Sequence, residues 1–418
     1  MEYIEIEGGS RLNGEIRVSG MKNSALPIIF ATVLIKDDCI IENVPRVSDV
    51  FCALDILSSM GARVAWVNEH TVLINTKNLE NSVKVYDKIG KMRASYYLMG
   101  ASLSRFGKME IPFPGGCNFG VRPIEQHLKG FTLLGADCND DGGIIKISTK
   151  NRLKSTKITL DKISVGATIN IVLASSQLDG VTVVENCAIE PHVDDVIGFL
   201  NRAGAKIVRI GRKIYVNGVS SLHSVRYRVF PDMIEALSYF TMLGATGGEI
   251  TLTSVNSAHL SYCANVFRKM GMDVDLYPTE ASIRVDKILT GAEVLTAPYP
   301  FFPTDLHPQF AAMLPFTRDG GSVCEKVFPS RFAYIYELSK MGANITKSNN
   351  TVQVLPSKIH GATVDATDLR AGAALVTSAL GADGKSTINN VNYIVRGYED
   401  LTGKISSLGG KIKLLKGE

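Results

Sequence analysis

Apolar and polar residues alternate from the start of the chain. Met1-Glu2-Tyr3-Ile4-Glu5-Ile6-Glu7 puts one kind on each face of an extended backbone and predicts a strand. A second pattern recurs six times: an amphipathic run, an apolar residue, a glycine, then near-alternation. It stands at Met60-Gly61-Ala62, Leu134-Gly135-Ala136, Ala203-Gly204-Ala205, Met270-Gly271-Met272, Met341-Gly342-Ala343 and Leu408-Gly409-Gly410. The physical reading is a helix closed by a glycine beyond its last turn, leading into a strand such as Lys206-Ile207-Val208-Arg209-Ile210. The glycines recur every 67–74 residues, longer than the usual solenoid repeat. They predict six βα-rich units, three to a domain, in two domains of about 200 residues each. The join is expected near Tyr227-Arg228-Val229-Phe230-Pro231-Asp232, with no low-complexity linker, and a cleft between the domains is the expected ligand site.

Composition narrows this only slightly. The 418 residues are 45% hydrophobic and 21% charged, with formal net charge +4. No dense Lys/Arg run with interleaved aromatics points to nucleic acid, and the mild positive balance suits an anionic small substrate. The acidic, alternating start lacks the basic and apolar regions of a signal peptide. The longest apolar stretch, Ala25 to Ile35, is too short to span a bilayer, so a cytoplasmic protein with no membrane partner is expected. Seven scattered cysteines and seven histidines show neither Cys-x-x-Cys nor His-x-x-x-His spacing. Neither a disulfide framework nor a metal site is expected.

The segment richest in chemistry is Pro112-Phe113-Pro114-Gly115-Gly116-Cys117-Asn118-Phe119-Gly120-Val121-Arg122-Pro123. Its breakers put Cys117 on a loop, and the charge of Arg122 nearby would lower a thiol pKa. A buried structural cysteine in a glycine turn is the alternative. In Val18-Ser19-Gly20-Met21-Lys22-Asn23-Ser24, Asn23 or Ser24 can cap a helix and Lys22 stands at its anion-friendly N-terminus; an ordinary solvated lysine is the alternative. Lys162-Ile163-Ser164-Val165-Gly166 opens another helical run. Asp305 follows three prolines, Pro298, Pro300 and Pro303, as a base or as a helix cap. Asp368 and Arg370 either pair with each other or serve a site, and Arg396 before Gly397 fits a carboxylate or phosphate clamp. Gly381-Ala382-Asp383-Gly384-Lys385-Ser386-Thr387 ends like a phosphate-binding loop, but Ala379 stands where the first glycine is needed. A helix-to-strand turn is expected there.

Taken in order, these segments resemble the enolpyruvyl transferases along the whole chain. The matching motifs are Ser19-Gly20-Met21-Lys22-Asn23, Met92-Arg93-Ala94-Ser95, Pro114-Gly115-Gly116-Cys117 with Arg122-Pro123, and Ser164-Val165-Gly166-Ala167-Thr168. They continue with Phe302-Pro303-Thr304-Asp305, Asp368-Leu369-Arg370-Ala371 and Arg396-Gly397-Tyr398-Glu399. The resemblance implies an α/β fold of two inside-out, barrel-like domains, residues 22–229 and residues 1–21 plus 230–418, each of three repeats with helices inside and sheets outside. It implies transfer of the enolpyruvyl group of phosphoenolpyruvate to the 3′-hydroxyl of UDP-N-acetylglucosamine, with phosphate released and no cofactor. Cys117 would protonate the methylene carbon and form a covalent adduct, and Asp305 would take the hydroxyl proton. Lys22, Arg122 and Arg396 would hold phosphoenolpyruvate, with Asp368 and Arg370 in the catalytic set. Asn23, Arg93, Arg122-Pro123-Ile124-Glu125-Gln126, Lys162-Ile163-Ser164-Val165, Asp305 and Val327 would line the nucleotide-sugar site. Met233, Glu125, Ser330, Tyr393 and Val395 depart from the family pattern. The sister enzymes that make enolpyruvylshikimate phosphate lack the loop cysteine. A silent, regulatory homologue would have no need of Cys117, Lys22, Arg122, Asp305 and Arg396 together, and the sequence identifies no regulatory partner.

Overall fold

The computed structural model describes residues 2–81, 86–90, 92–112 and 124–417; the Cys117 loop, with Arg122 and Pro123, lies outside them. By its contacts the chain divides into two compact units, Gly20–Phe230 and Met1–Ser19 together with Pro231–Glu418.

The six glycines behave as the sequence reading requires. Helices Ser48–Ser59, Glu125–Leu133, Pro191–Arg202, Ser257–Lys269, Tyr334–Lys340 and Leu401–Ser407 each run into one of them. All six have φ between 89° and 101°, the left-handed region where a Cβ is strained. The strands that follow begin two residues later, at Arg63, Asp137, Lys206, Asp273, Asn344 and Lys411. Each of these strands forms an antiparallel ladder, such as Ile207↔Val216 and Val274↔Ile283. Among the described residues, five of the six sheets also hold a parallel pair, such as Val225–Arg228 beside Asp38–Glu42.

Each unit is built inside out. In the unit 20–230, helices Lys22–Ala31, Tyr97–Phe106 and Val165–Ser175 pack together at the centre. Gly166 through Ser175 are all buried, so this helix has no polar face to turn to water. Such close packing needs small residues: a Cβ at Gly100 would collide with the Asn170 carbonyl oxygen, and Gly100 N–H donates to Asn170 Oδ1 at 2.8 Å. In the other unit the central helices are Met233–Thr246, His307–Met313 and Leu369–Gly381. The sheets lie outside with one face wet, as in Lys206–Ile210, where Ile207 is buried and Lys206 and Val208 are exposed.

The first strand, Glu2–Glu7, pairs antiparallel with both Lys385–Asn389 and Lys411–Lys416. Leu12–Arg17 pairs parallel with Gly248–Thr253. The glycine-lysine decoy is a turn, joining helix Leu369–Gly381 to strand Lys385–Asn389. Among the described residues, no helix is long and apolar enough to cross a membrane.

Candidate active site

In the unit 20–230, Lys22 is the first residue of its helix. The expected cap by Asn23 or Ser24 is not what forms: the N-cap is Met21, which makes no side-chain cap bond, and the Ser24 hydroxyl donates to Met21 Sδ. A serine inside the first turn cannot reach the N–H groups that an N-cap satisfies. Lys22 is not an ordinary solvated lysine either. Its Nζ lies 3.0 Å from Asp49 Oδ2, and both side chains are largely buried.

Several of the described nucleotide-sugar candidates of this unit are tied to neighbouring segments through their side chains. Ile124 is buried just before helix Glu125–Leu133, and Glu125 is exposed. Gln126 and Asp161 exchange two bonds: Gln126 Nε2 donates to Asp161 Oδ2 at 3.0 Å, and Asp161 N–H to Gln126 Oε1 at 2.8 Å. This ties the start of that helix to the 162–165 segment. Ser164 caps helix Val165–Ser175, its Oγ accepting from Ala167 N–H at 3.3 Å. Lys162 is exposed, and Ile163 and Val165 are half-buried. Arg93 lies over the Tyr96 ring, 5.5 Å from its centroid, and Tyr96 meets His127 edge-on. Burial, reinforced by the Arg93 charge, pulls the His127 pKa down to about 3, so this imidazole stays neutral.

In the other unit, Asp305 sits in the short 3₁₀ turn Thr304–Leu306 ahead of helix His307–Met313. Its side chain caps nothing. It takes Arg331 Nη1 at 2.6 Å on one oxygen and Arg370 Nη2 at 3.1 Å on the other. Burial would raise its pKa, but the two guanidiniums outweigh that and hold it far below the ordinary carboxylate range. Asp368 and Arg370 do not pair through their side chains as one reading allowed. Asp368 caps helix Leu369–Gly381, accepting Arg370 N–H at 2.8 Å and Ala371 N–H at 3.0 Å. The Arg370 guanidinium turns instead to Asp305 and to Tyr398 Oη at 3.2 Å. Arg396 is half-buried in the turn after Val391–Tyr393.

Three groups escaped the sequence reading. Arg331 follows Phe328-Pro329-Ser330, a breaker-plus-charge pattern of the kind that flagged other segments. Asp49 looks like a routine first-turn acid, because nothing in the sequence ties it to Lys22. Glu325, fully buried, accepts Val327 N–H at 2.7 Å and Phe328 N–H at 2.8 Å. Chemically, this unit offers a clamped carboxylate and two buried guanidiniums, and the unit 20–230 separately offers a lysine at a helix N-terminus. These suit an anionic substrate and a proton transfer. No group of three or more His, Cys, Asp and Glu side chains among the described residues could hold a metal.

Comparison with known proteins agrees from end to end. Residues 6–405 match the family described as EPSP synthase (3-phosphoshikimate 1-carboxyvinyltransferase). A UDP-N-acetylglucosamine 1-carboxyvinyltransferase of Finegoldia magna is 39% identical, over 100% of this chain and 99% of its own. The protein called UDP-N-acetylglucosamine 1-carboxyvinyltransferase 2 in Staphylococcus aureus is 40% identical over 98% of each. Among solved structures, the enolpyruvyl transferase NikO from Streptomyces tendae superposes with a TM-score of 0.90 at 25% identity, covering 100% of this chain and 99% of that one. EPSP synthase from Acinetobacter baumannii shares the fold, with a TM-score of 0.74 at 16% identity over 100% of both chains. With a family match spanning nearly all its length and relatives near 40% identical throughout, the chain belongs to the EPSP synthase family of carboxyvinyl (enolpyruvyl) transferases.

Proposed function

We propose that this enzyme transfers the enolpyruvyl group of phosphoenolpyruvate to the 3′-hydroxyl of UDP-N-acetylglucosamine and releases phosphate, the first committed step of peptidoglycan synthesis. The observation that carries this reading is the full-length likeness to enzymes named for that acceptor. The Pro114-Gly115-Gly116-Cys117 motif supports it, since the sister enolpyruvylshikimate enzymes lack that cysteine. The reading places the reaction in the cytoplasm.

The chemistry is addition followed by elimination. In the addition, the sugar oxygen bonds to C2 of phosphoenolpyruvate and its proton goes to Asp305. The electron pair of the C2–C3 double bond takes a proton from the Cys117 thiol. In the elimination, C3 returns a proton to the Cys117 thiolate, the double bond re-forms, and the C2–O bond breaks with its electron pair going to phosphate; the hydroxyl proton leaves Asp305 for the departing phosphate or water, which restores both groups. Lys22, Arg122 and Arg396 balance the charge of phosphate and carboxylate, the usual use of fixed cations where negative charge gathers. Asp305, held ionised by Arg331 and Arg370, is a weak base at rest. It therefore takes the proton only as the C2–O bond forms and the hydroxyl becomes acidic. Asn23, Arg93, the 122–126 and 162–165 segments and Val327 receive the sugar nucleotide.

The test is phosphate release from phosphoenolpyruvate with UDP-N-acetylglucosamine, beside a parallel reaction with shikimate 3-phosphate. Turnover with the sugar nucleotide alone is expected. Turnover only with shikimate 3-phosphate, or with neither acceptor, overturns the reading.

A further inference from the structure

Glu325 directly follows strand Gly321–Cys324, with its side chain wholly out of water. A carboxylate buried this deeply persists as an anion only if its lone pairs are filled, and five donors fill them. Oε1 takes Thr296 Oγ1 at 2.8 Å and the N–H groups of Val327 and Phe328. Oε2 takes Thr304 Oγ1 at 2.8 Å and His307 Nδ1 at 3.0 Å. The carboxylate only accepts, so His307 carries its proton on Nδ1. His307 Nε2 then accepts from the Tyr334 hydroxyl at 2.7 Å, which closes the network.

Two of these contacts lead straight to the acceptor side of the reaction. Val327 is a proposed sugar-nucleotide contact, and Glu325 fixes its peptide plane. Thr304 neighbours Asp305 in sequence; its Oγ1 donates to Glu325 and accepts from Arg331 Nη1 at 3.1 Å. That same Nη1 holds Asp305 Oδ1 at 2.6 Å. One buried carboxylate therefore sets both the orientation of the base, through Thr304 and Arg331, and the loop that meets the sugar nucleotide.

We propose that Glu325 is a positioning residue for the hydroxyl-bearing substrate, holding Asp305 and Val327 in one geometry through Thr304, Arg331 and the 327–328 amides. It touches no substrate itself. The inference rests on the functional reading above and adds a residue to its acceptor half only; phosphoenolpyruvate, held by Lys22, Arg122 and Arg396, should not sense it.

The test is steady-state kinetics of the full-length enzyme and its Glu325→Gln, Thr304→Val and Thr304→Ser variants, with both substrates varied. Glu325→Gln keeps shape but turns one acceptor into a donor facing Thr304 and His307. Thr304→Val is nearly isosteric and removes only the hydroxyl relay. Both should lower kcat at least about tenfold and raise KM for UDP-N-acetylglucosamine about fivefold, with KM for phosphoenolpyruvate within about twofold of the parent. Thr304→Ser, which restores the hydroxyl, should recover most of the loss. A merely structural role would instead lower the active fraction and leave both KM values unmoved. That result, equal shifts in both KM values, or a Thr304→Val enzyme as active as the parent overturns the proposal while the parent's turnover stands. A parent that releases no phosphate overturns the functional reading, and this inference with it.

Discussion

Arg331 Nη1 lies 2.6 Å from Asp305 Oδ1, so the carboxylate proposed to accept a proton is also a strongly stabilised anion. With Arg370 on its other oxygen, Asp305 stays ionised throughout the working range of pH. Asp305→Asn keeps the shape but cannot accept the hydroxyl proton. We expect kcat to fall about 10²–10⁴-fold while UDP-N-acetylglucosamine still binds, as read by calorimetry beside kinetics. Near-parental kcat would remove Asp305 from the base role. A kcat/KM inflection between pH 5 and 9 in the parent should persist in Asp305→Asn, because it must arise elsewhere.

Cys117 should be the thiol that reacts. Burial pushes the Cys39 thiol up to about 12 and the Cys187 thiol up to about 11, and raises Cys263 further, so these are inert at neutral pH. The epoxide fosfomycin should add once, at Cys117, faster with the sugar nucleotide bound, and intact mass with peptide mapping reads this out. Cys117→Asp should retain turnover that declines as pH rises through its carboxyl pKa, since only the acid form donates. Cys117→Ala and Cys117→Ser should be nearly inactive. Equal turnover of the alanine and aspartate variants would make Cys117 a structural loop residue.

The Lys22–Asp49 pair, 3.0 Å apart with little exposure, should be coupled. Removing either partner leaves a partly buried charge without its counter-ion, whereas removing both does not. Lys22→Met, Asp49→Leu and the double variant should give a coupling of at least about 1 kcal/mol in denaturant melts. Strict additivity would show that the pair is only a surface-type contact.

Asp368 divides into cap and catalyst by a single comparison. Asp368→Asn keeps an oxygen for the Arg370 and Ala371 N–H groups, whereas Asp368→Ala loses the cap at a cost of about 1 kcal/mol. If the cap is its whole contribution, Asn should match the parent in both stability and kcat. A large kcat loss in Asn with unchanged stability would place the carboxylate in the chemistry.

Two buried carboxylates should give opposite pH signatures. Burial raises Asp195 to about 6 despite bonds from Tyr227 and the Phe230 N–H. Its folded pKa lies above the unfolded 3.8, so its stabilisation is full below pH 4 and is lost as pH rises through 6. The stability of Asp195→Asn relative to the parent should therefore improve by roughly 3 kcal/mol from pH 4 to pH 7. For Glu325, burial acts upward, but bonds from His307, the Phe328 N–H and Thr296 outweigh it and bring the pKa to about 2. Its stabilisation is full above the ordinary 4.5 and is lost as pH falls through 2, so Glu325→Gln should flatten the acid limb of the stability curve. The same sign of pH dependence in both variants would contradict this assignment.

The six-unit architecture was legible in the sequence because its signals are local. A left-handed glycine after a helix and an alternating strand each depend on a few neighbouring residues. Gly61, Gly135, Gly204, Gly271, Gly342 and Gly409 all occupy the turns that their spacing implied. The helices that begin at Lys22 and after Ser164 were likewise written in short motifs, although neither Asn23 nor Ser24 caps the first.

The partners of the charged groups were not legible, because they lie far apart in sequence and meet only through packing. Lys22 finds Asp49 across 27 residues, Asp305 finds Arg370 across 65, and Gln126 finds Asp161 across 35. No periodicity encodes such pairings. The sequence could place Asp305 beside three prolines but could not choose between cap and base. Tertiary structure left its side chain out of any cap and brought two guanidiniums to the carboxylate, since a charge taken out of water keeps its form only where opposite charges and donors converge on it. Sequence thus determined the frame and the kinds of chemistry available; the third dimension decided which charges face each other, and so which of them stay ionised.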